Sequence, residues 1–170
     1  MIVDLSEQQG NVLPFDFSIG QDEIDLELED VRLSRGIKVN GEVIPHIAQT
    51  DVKGRIETAA DIDCTRCLKP VPVNLEIDFD VAYVTPEHFA SAREKEVGAE
   101  DLKTDVLEST QLDLNAVVRE QILLNLPEQV FCKEDCKGLC PKCGADRNLI
   151  DCKCEETEID PRWAALKDLK

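Results

Sequence analysis

Aromatic residues are scarce in this chain, at 4% of 170 positions with one Trp and one Tyr. A platform for single-stranded nucleic acid stacks bases on exposed rings, so this scarcity argues against one. Basic residues are outnumbered as well: 19 Lys and Arg face 36 Asp and Glu, for a net charge of −17. Most of such a surface repels phosphate backbones and attracts basic partners, so direct RNA contact would need a local basic patch. No apolar run approaches the length of a membrane span. The N-terminal Met1-Ile2-Val3-Asp4-Leu5-Ser6-Glu7 lacks the basic start and apolar core of a secretory leader, and a cytoplasmic protein is expected. Catalytic signatures are also missing. There is no nucleophile elbow, no phosphate-binding Gly-rich loop and no His-Glu metalloprotease motif, so no enzyme is expected.

Cysteine, by contrast, is plentiful and patterned. Eight cysteines form four close pairs: Cys64/Cys67, Cys132/Cys136, Cys140/Cys143 and Cys152/Cys154. That is the number needed for two four-cysteine zinc sites, because a Cys-x-x-Cys pair sets two sulfurs on one turn and a second pair completes a tetrahedron. Disulfides are the competing reading, but reducing compartments disfavour them. A thioredoxin-like role for Cys64/Cys67 is a further alternative; that chemistry wants the first thiol at a helix N-terminus, whereas this pair lies between two strand-like segments. The preferred assignment puts Cys64, Cys67, Cys132 and Cys136 on one zinc and Cys140, Cys143, Cys152 and Cys154 on the other. The alternative joins Cys132/Cys136 to Cys140/Cys143 and leaves Cys64/Cys67 to find Cys152/Cys154 or nothing; spacing alone leaves it open. Four thiolates leave no position for water or substrate, so both sites are expected to be structural. His46 and His88 are then not needed as ligands. With the thiols ionised and two zinc ions bound, the net charge would reach about −21.

Apolar content of 42% supports a packed core. Val12, Phe15, Phe17 and Ile19 suggest an apolar face around Pro14. Alternation in residues 22–30 suggests a strand with an acidic wet face, and Asn40-Gly41 suggests a hairpin turn. The clearest signal is period two in Val52, Gly54, Ile56, Thr58, Ala60 and Ile62, and again from Val71 to Tyr83. It predicts two long strands with Cys64-Thr65-Arg66-Cys67 at the tip between them. Residues 86–111 lack periodicity and read as a mobile acidic loop. Asp113 is placed to cap a helix carrying Leu114, Val117, Val118 and Ile122 on one stripe, ended by Leu126-Pro127. Asp160-Pro161 opens a last short helix with Trp163 as a core anchor. The expected fold is α+β: an antiparallel sheet, barrel-like in its fullest form, with one packing helix and a C-terminal zinc module. Residues 1–127 would form the β-rich domain and 128–170 the cysteine-rich module with its terminal helix. Arg66, Lys69, Lys133, Lys137, Lys142, Arg147 and Lys153 gather around the cysteines. They offer either a basic face for RNA or another partner, or local compensation for the negative zinc–thiolate centres.

In order along the chain, Cys64-Thr65-Arg66-Cys67-Leu68-Lys69-Pro70, Leu126-Pro127, Cys136-Lys137-Gly138-Leu139-Cys140-Pro141-Lys142-Cys143-Gly144, Cys152-Lys153-Cys154, Asp160-Pro161-Arg162 and Leu166 resemble the YceD family. Its members are large-ribosomal-RNA accumulation proteins of bacteria and plastids. Arg147 stands where that resemblance leads one to expect an apolar residue. The resemblance implies a role in accumulating large-subunit ribosomal RNA, hence in ribosome assembly, and implies that the hairpin-tip cysteine pair is central. The partner would be large-subunit ribosomal RNA or a pre-ribosomal particle. Alternatively, an acidic escort would hold a basic ribosomal protein, and the RNA would be lost indirectly.

Overall fold

The computed structural model describes residues 1–5, 11–47, 49–86 and 104–154. Five strands form the main sheet: β2 (Leu13–Ile19), β3 (Val31–Pro45), β4 (Gln49–Asp63), β5 (Pro70–Val84) and β6 (Thr104–Val106), in that spatial order. The first three pairings are antiparallel, and β5 with β6 is parallel. The sheet therefore stays open, with β2 and β6 as its edges, and does not reach the barrel-like closure expected. A small second sheet pairs β1 (Ile2–Asp4) with β7 (Gln111–Asp113), and β7 runs directly into α1 (Leu114–Leu124).

Period two does what it should in β4 and β5. Val52, Ile56, Thr58 and Ala60 are fully buried, and Leu75, Ile77, Phe79 and Tyr83 of β5 are buried with them on the same face. Thr58 is satisfied there by donating its hydroxyl to the Arg35 carbonyl at 3.0 Å, where the β3–β4 register shifts. Helix α1 covers this face with Leu114, Val117, Val118 and Ile122. Each large side chain so buried contributes roughly 1.5–3 kcal/mol. As the sequence predicted, Asp113 caps the helix, accepting from the Asn115 N–H at 3.0 Å.

Several expectations fail for local reasons. Asn40-Gly41 is no turn: β3 runs through it, and Gly41 pairs with Gly54 and with Phe15. A Cβ on Gly41 would collide with the Lys53 carbonyl and stand 2.6 Å from the Phe15 ring, so glycine is there to admit neighbours. Residues 22–30 form no strand. Glu27 takes a left-handed φ of 58°, and its N–H is held by the Asp25 carboxylate at 2.8 Å; Ile24 and Leu26 still reach the core, while Leu28 is exposed. Val12 is exposed and Leu13 partly buried in its stead. The loop assigned to 86–111 contains β6 and ends on the first residue of β7. Three-residue strands give too little periodicity to see. Residues 87–103, His88 among them, and the proposed terminal helix with Trp163 lie outside the described residues.

Candidate metal centres

The β4–β5 hairpin tip is built as a knuckle. The Leu68 N–H donates to the Cys64 carbonyl at 2.9 Å, and the Cys64 N–H donates to the Lys69 carbonyl at 2.8 Å. The same device recurs further on: Gly144 N–H to Cys140 carbonyl at 2.9 Å, and Cys140 N–H to Ala145 carbonyl at 2.8 Å. Both turns need a left-handed residue after the second cysteine, Leu68 at φ 57° and Gly144 at φ 70°. Gly supplies this freely; Leu at the tip does so under strain.

The chain after α1 docks on the first knuckle. Thr65 N–H donates to the Val130 carbonyl at 2.8 Å, and Val130 N–H donates to the Thr65 hydroxyl at 3.1 Å. The sulfurs of Cys64, Cys67, Cys132 and Cys136 then lie within 4.8 Å of one another, as do those of Cys140, Cys143, Cys152 and Cys154. Of the two groupings left open by spacing, the first is the one adopted. Sulfur separations of 3.9 Å (Cys64–Cys136) and 3.5 Å (Cys67–Cys132) are far beyond a disulfide bond of about 2.05 Å. They suit a tetrahedron with metal–sulfur bonds of about 2.3 Å, whose edges are about 3.8 Å. The donor set is therefore right for a soft, four-coordinate ion such as zinc. The first tetrad is mostly buried, with only Cys132 exposed, while in the second Cys143 is exposed and Cys152 and Cys154 are half-buried.

The thiols are unevenly tuned. Burial favours the neutral form of Cys64, but backbone N–H groups of Cys132, Arg66 and Cys67 outweigh it and bring the thiol down to about 6. Cys140 is likewise brought down to about 6 by the N–H groups of Cys143 and Lys142 and by Cys152. Cys132 is pushed up to about 12 by its bond to Cys67 and by burial, and Cys154 to about 12 by Cys143 and by burial. Four crowded sulfurs cannot all ionise by themselves; a central cation removes that conflict.

Three of the seven basic residues are engaged within the chain. Arg66 donates to the Cys136 carbonyl at 3.0 Å and the Glu134 carbonyl at 3.3 Å, and lies 4.4 Å from the Phe131 ring centroid. Lys69 pairs with Asp146 at 2.8 Å and Lys133 with Asp135 at 3.6 Å. Lys137 and Arg147 line a shallow cleft with Asp151, and Lys142 and Lys153 are exposed on the second knuckle. His46 faces Asp51 at 3.1 Å and joins neither tetrad.

Asp146 and Asn148 were missed by sequence reading. Asp146 is held low, at about 2, by Lys69 and by donors from Asn148. Asn148 donates to the Cys136 sulfur at 3.5 Å. The available signal was an Asp-x-Asn turn between cysteine pairs, which marks a side-chain-braced loop. No helix among the described residues is long and apolar enough to cross a membrane.

Comparison with known proteins adds a lineage. The profile of the family described as large ribosomal RNA subunit accumulation protein YceD matches residues 52–170, and the chain belongs to that family. An uncharacterized Bacillus subtilis protein, YlbN, is 28% identical over 169 residues, covering 99% of this chain and 94% of that one. An uncharacterized Mycobacterium tuberculosis protein is 31% identical over 149 residues, 86% of this chain but 61% of its own length. An Arabidopsis thaliana protein named large ribosomal RNA subunit accumulation protein YCED homolog 1, chloroplastic, is 23% identical over 155 residues, 79% of this chain and 48% of that one. No solved structure matches.

Proposed function

We propose that this member of the YceD family is a non-enzymatic, cytoplasmic ribosome-assembly factor needed for large-subunit ribosomal RNA to accumulate, and that its two cysteine tetrads hold structural zinc. The observation carrying the reading is the convergence of eight thiols into two four-sulfur clusters in a chain whose family is named for ribosomal RNA accumulation. Each set is saturated by protein sulfur, so a bound ion would have no open position for substrate and would supply cross-linking alone. We read residues 1–127 as the body and 128–170 as the zinc module, with RNA or partner contact assigned to the basic residues around it.

A second reading is favoured by charge. Arg66, Lys69 and Lys133 are bound within the chain, and the net charge is −17. An acidic escort for a basic ribosomal protein fits both facts. In-cell ultraviolet crosslinking of tagged protein, with RNA and co-purifying proteins identified, separates the two. Crosslinks concentrated in large-subunit ribosomal RNA support direct contact. Stoichiometric recovery of a basic ribosomal protein without RNA crosslinks supports the escort, and neither outcome together with normal ribosomal RNA levels in cells lacking the protein would sink both.

A further inference from the structure

Asn148 uses its whole amide. Its carbonyl accepts the Lys137 N–H at 2.9 Å, and its NH2 donates to the Cys136 sulfur at 3.5 Å and to an Asp146 carboxylate oxygen at 2.8 Å. The amide orientation is forced, because an N–H must meet oxygen and a sulfur or carboxylate must meet N–H. Asn148 belongs to the loop between Cys143 and Cys152, the loop that the second tetrad closes. Cys136 belongs to the first. The other carboxylate oxygen of Asp146 lies 2.8 Å from the Lys69 ammonium, and Lys69 carries the carbonyl that closes the first knuckle. The Arg147 N–H donates to the Gly138 carbonyl at 2.9 Å, which fixes the same loop against the segment joining the two sites.

We propose that Asn148 is a positioning residue that couples the two metal centres, so that filling the second tetrad raises the metal affinity of the first. The inference rests on the metal reading above. With the second tetrad filled, residues 144–151 are closed at both ends and Asn148 is held against Cys136. With it open, the loop is left with its contacts to Lys69, Lys137 and Gly138, and the Asn148 donor is held less firmly against the Cys136 sulfur. A donor to a ligating atom orients it, and removing such a partner typically costs about 10–100-fold in metal affinity. Coupling is reciprocal, so an empty first site weakens the second by the same factor.

The test uses the full chain loaded with cadmium, whose NMR resonances report each four-sulfur site separately. The site lost in Cys154→Ser identifies the second resonance. Chelator competition then gives the first site's affinity in wild type, Asn148→Ala, Cys154→Ser and the double variant. Asn148→Ala should lower it about tenfold or more and shift the first resonance. Cys154→Ser should do likewise, and the double variant should be no worse than either single. Asn148→Asp, which keeps the acceptor for Lys137 and removes the donor, should weaken the first site too and serves if the alanine variant misfolds. Two resonances with additive losses, or an unchanged first site in the Asn148 variants, would overturn the coupling alone. Failure of the wild-type chain to take up metal would overturn the metal reading and the coupling together.

Discussion

Gly138 and Gly144 share a left-handed backbone, each at φ 70°, but not their surroundings. A Cβ on Gly144 meets nothing within 4 Å, whereas one on Gly138 would stand 2.8 Å from the Arg66 carbonyl oxygen. Alanine at Gly144 therefore incurs only the left-handed conformation, roughly 1–2 kcal/mol. Alanine at Gly138 incurs the same cost and must also push away backbone. Overpacking adds about 1–3 kcal/mol, and Arg66 cannot retreat cheaply because its carbonyl accepts the Leu139 N–H at 2.9 Å. The strain falls on the turn between Cys64 and Cys67. With every 1.4 kcal/mol worth tenfold, Gly144→Ala should lower zinc affinity at the second site about tenfold. Gly138→Ala should lower it at the first site roughly a hundredfold. Chelator competition on both purified variants, with circular dichroism to show an intact sheet, measures this. Equal losses in the two variants would show that steric approach to Arg66 is irrelevant and refute the reasoning.

Other consequences are as direct. Gly54→Val should prevent the β3–β4 pairing, since a Cβ there stands 2.6 Å from the Asn40 carbonyl oxygen and 2.9 Å from the Phe79 ring; loss of the cooperative unfolding transition is the expected result. Leu68→Gly should stabilise the hairpin tip by about 1 kcal/mol by relieving a left-handed leucine at φ 57°, read as a higher denaturation midpoint. Zinc affinity should fall as pH falls. Uptake near neutrality must expel protons from Cys132 and Cys154, each pushed up to about 12, and because the bound fold holds these thiols ionised, its extra stability is present at high pH and lost on acidification. Isothermal titration in buffers of different ionisation enthalpy would show proton release at each site.

Where an element is long and its partner continuous, the sequence was readable. Fifteen-residue β4 and β5 repeat their apolar positions often enough to fix the buried face, and α1 shows its stripe over three turns. The tip cysteines could be placed because they interrupt that alternation. What escaped depended on partners distant in sequence. Gly41 looks like a turn glycine until Phe15 and Lys53 are seen packed over it. β6 and β7 exist only because β5 and β1 offer them edges. Likewise the grouping of thiols is set by the docking of Val130 on Thr65, which no spacing rule contains, and Asn148 acquires a role only once Cys136 is beside it.

Cys64 and Cys136 are 72 positions apart and yet meet, whereas the second tetrad spans only one short loop. A chain emerging from synthesis presents the hairpin thiols early, and they wait until α1 and the segment beyond it have been made. The second knuckle can close on its own as soon as its residues are free. The first centre is thus a late checkpoint: it can be completed only after hairpin, helix and trailing segment have come together in the right order. On the metal reading proposed above, an ion there would tie a loop whose confinement costs the unfolded chain about 4 kcal/mol by analogy with a cross-link of that length. Unfolding of the body and escape of the ion would then be one event, and starvation for metal should show first as chains arrested in folding rather than as finished chains falling apart.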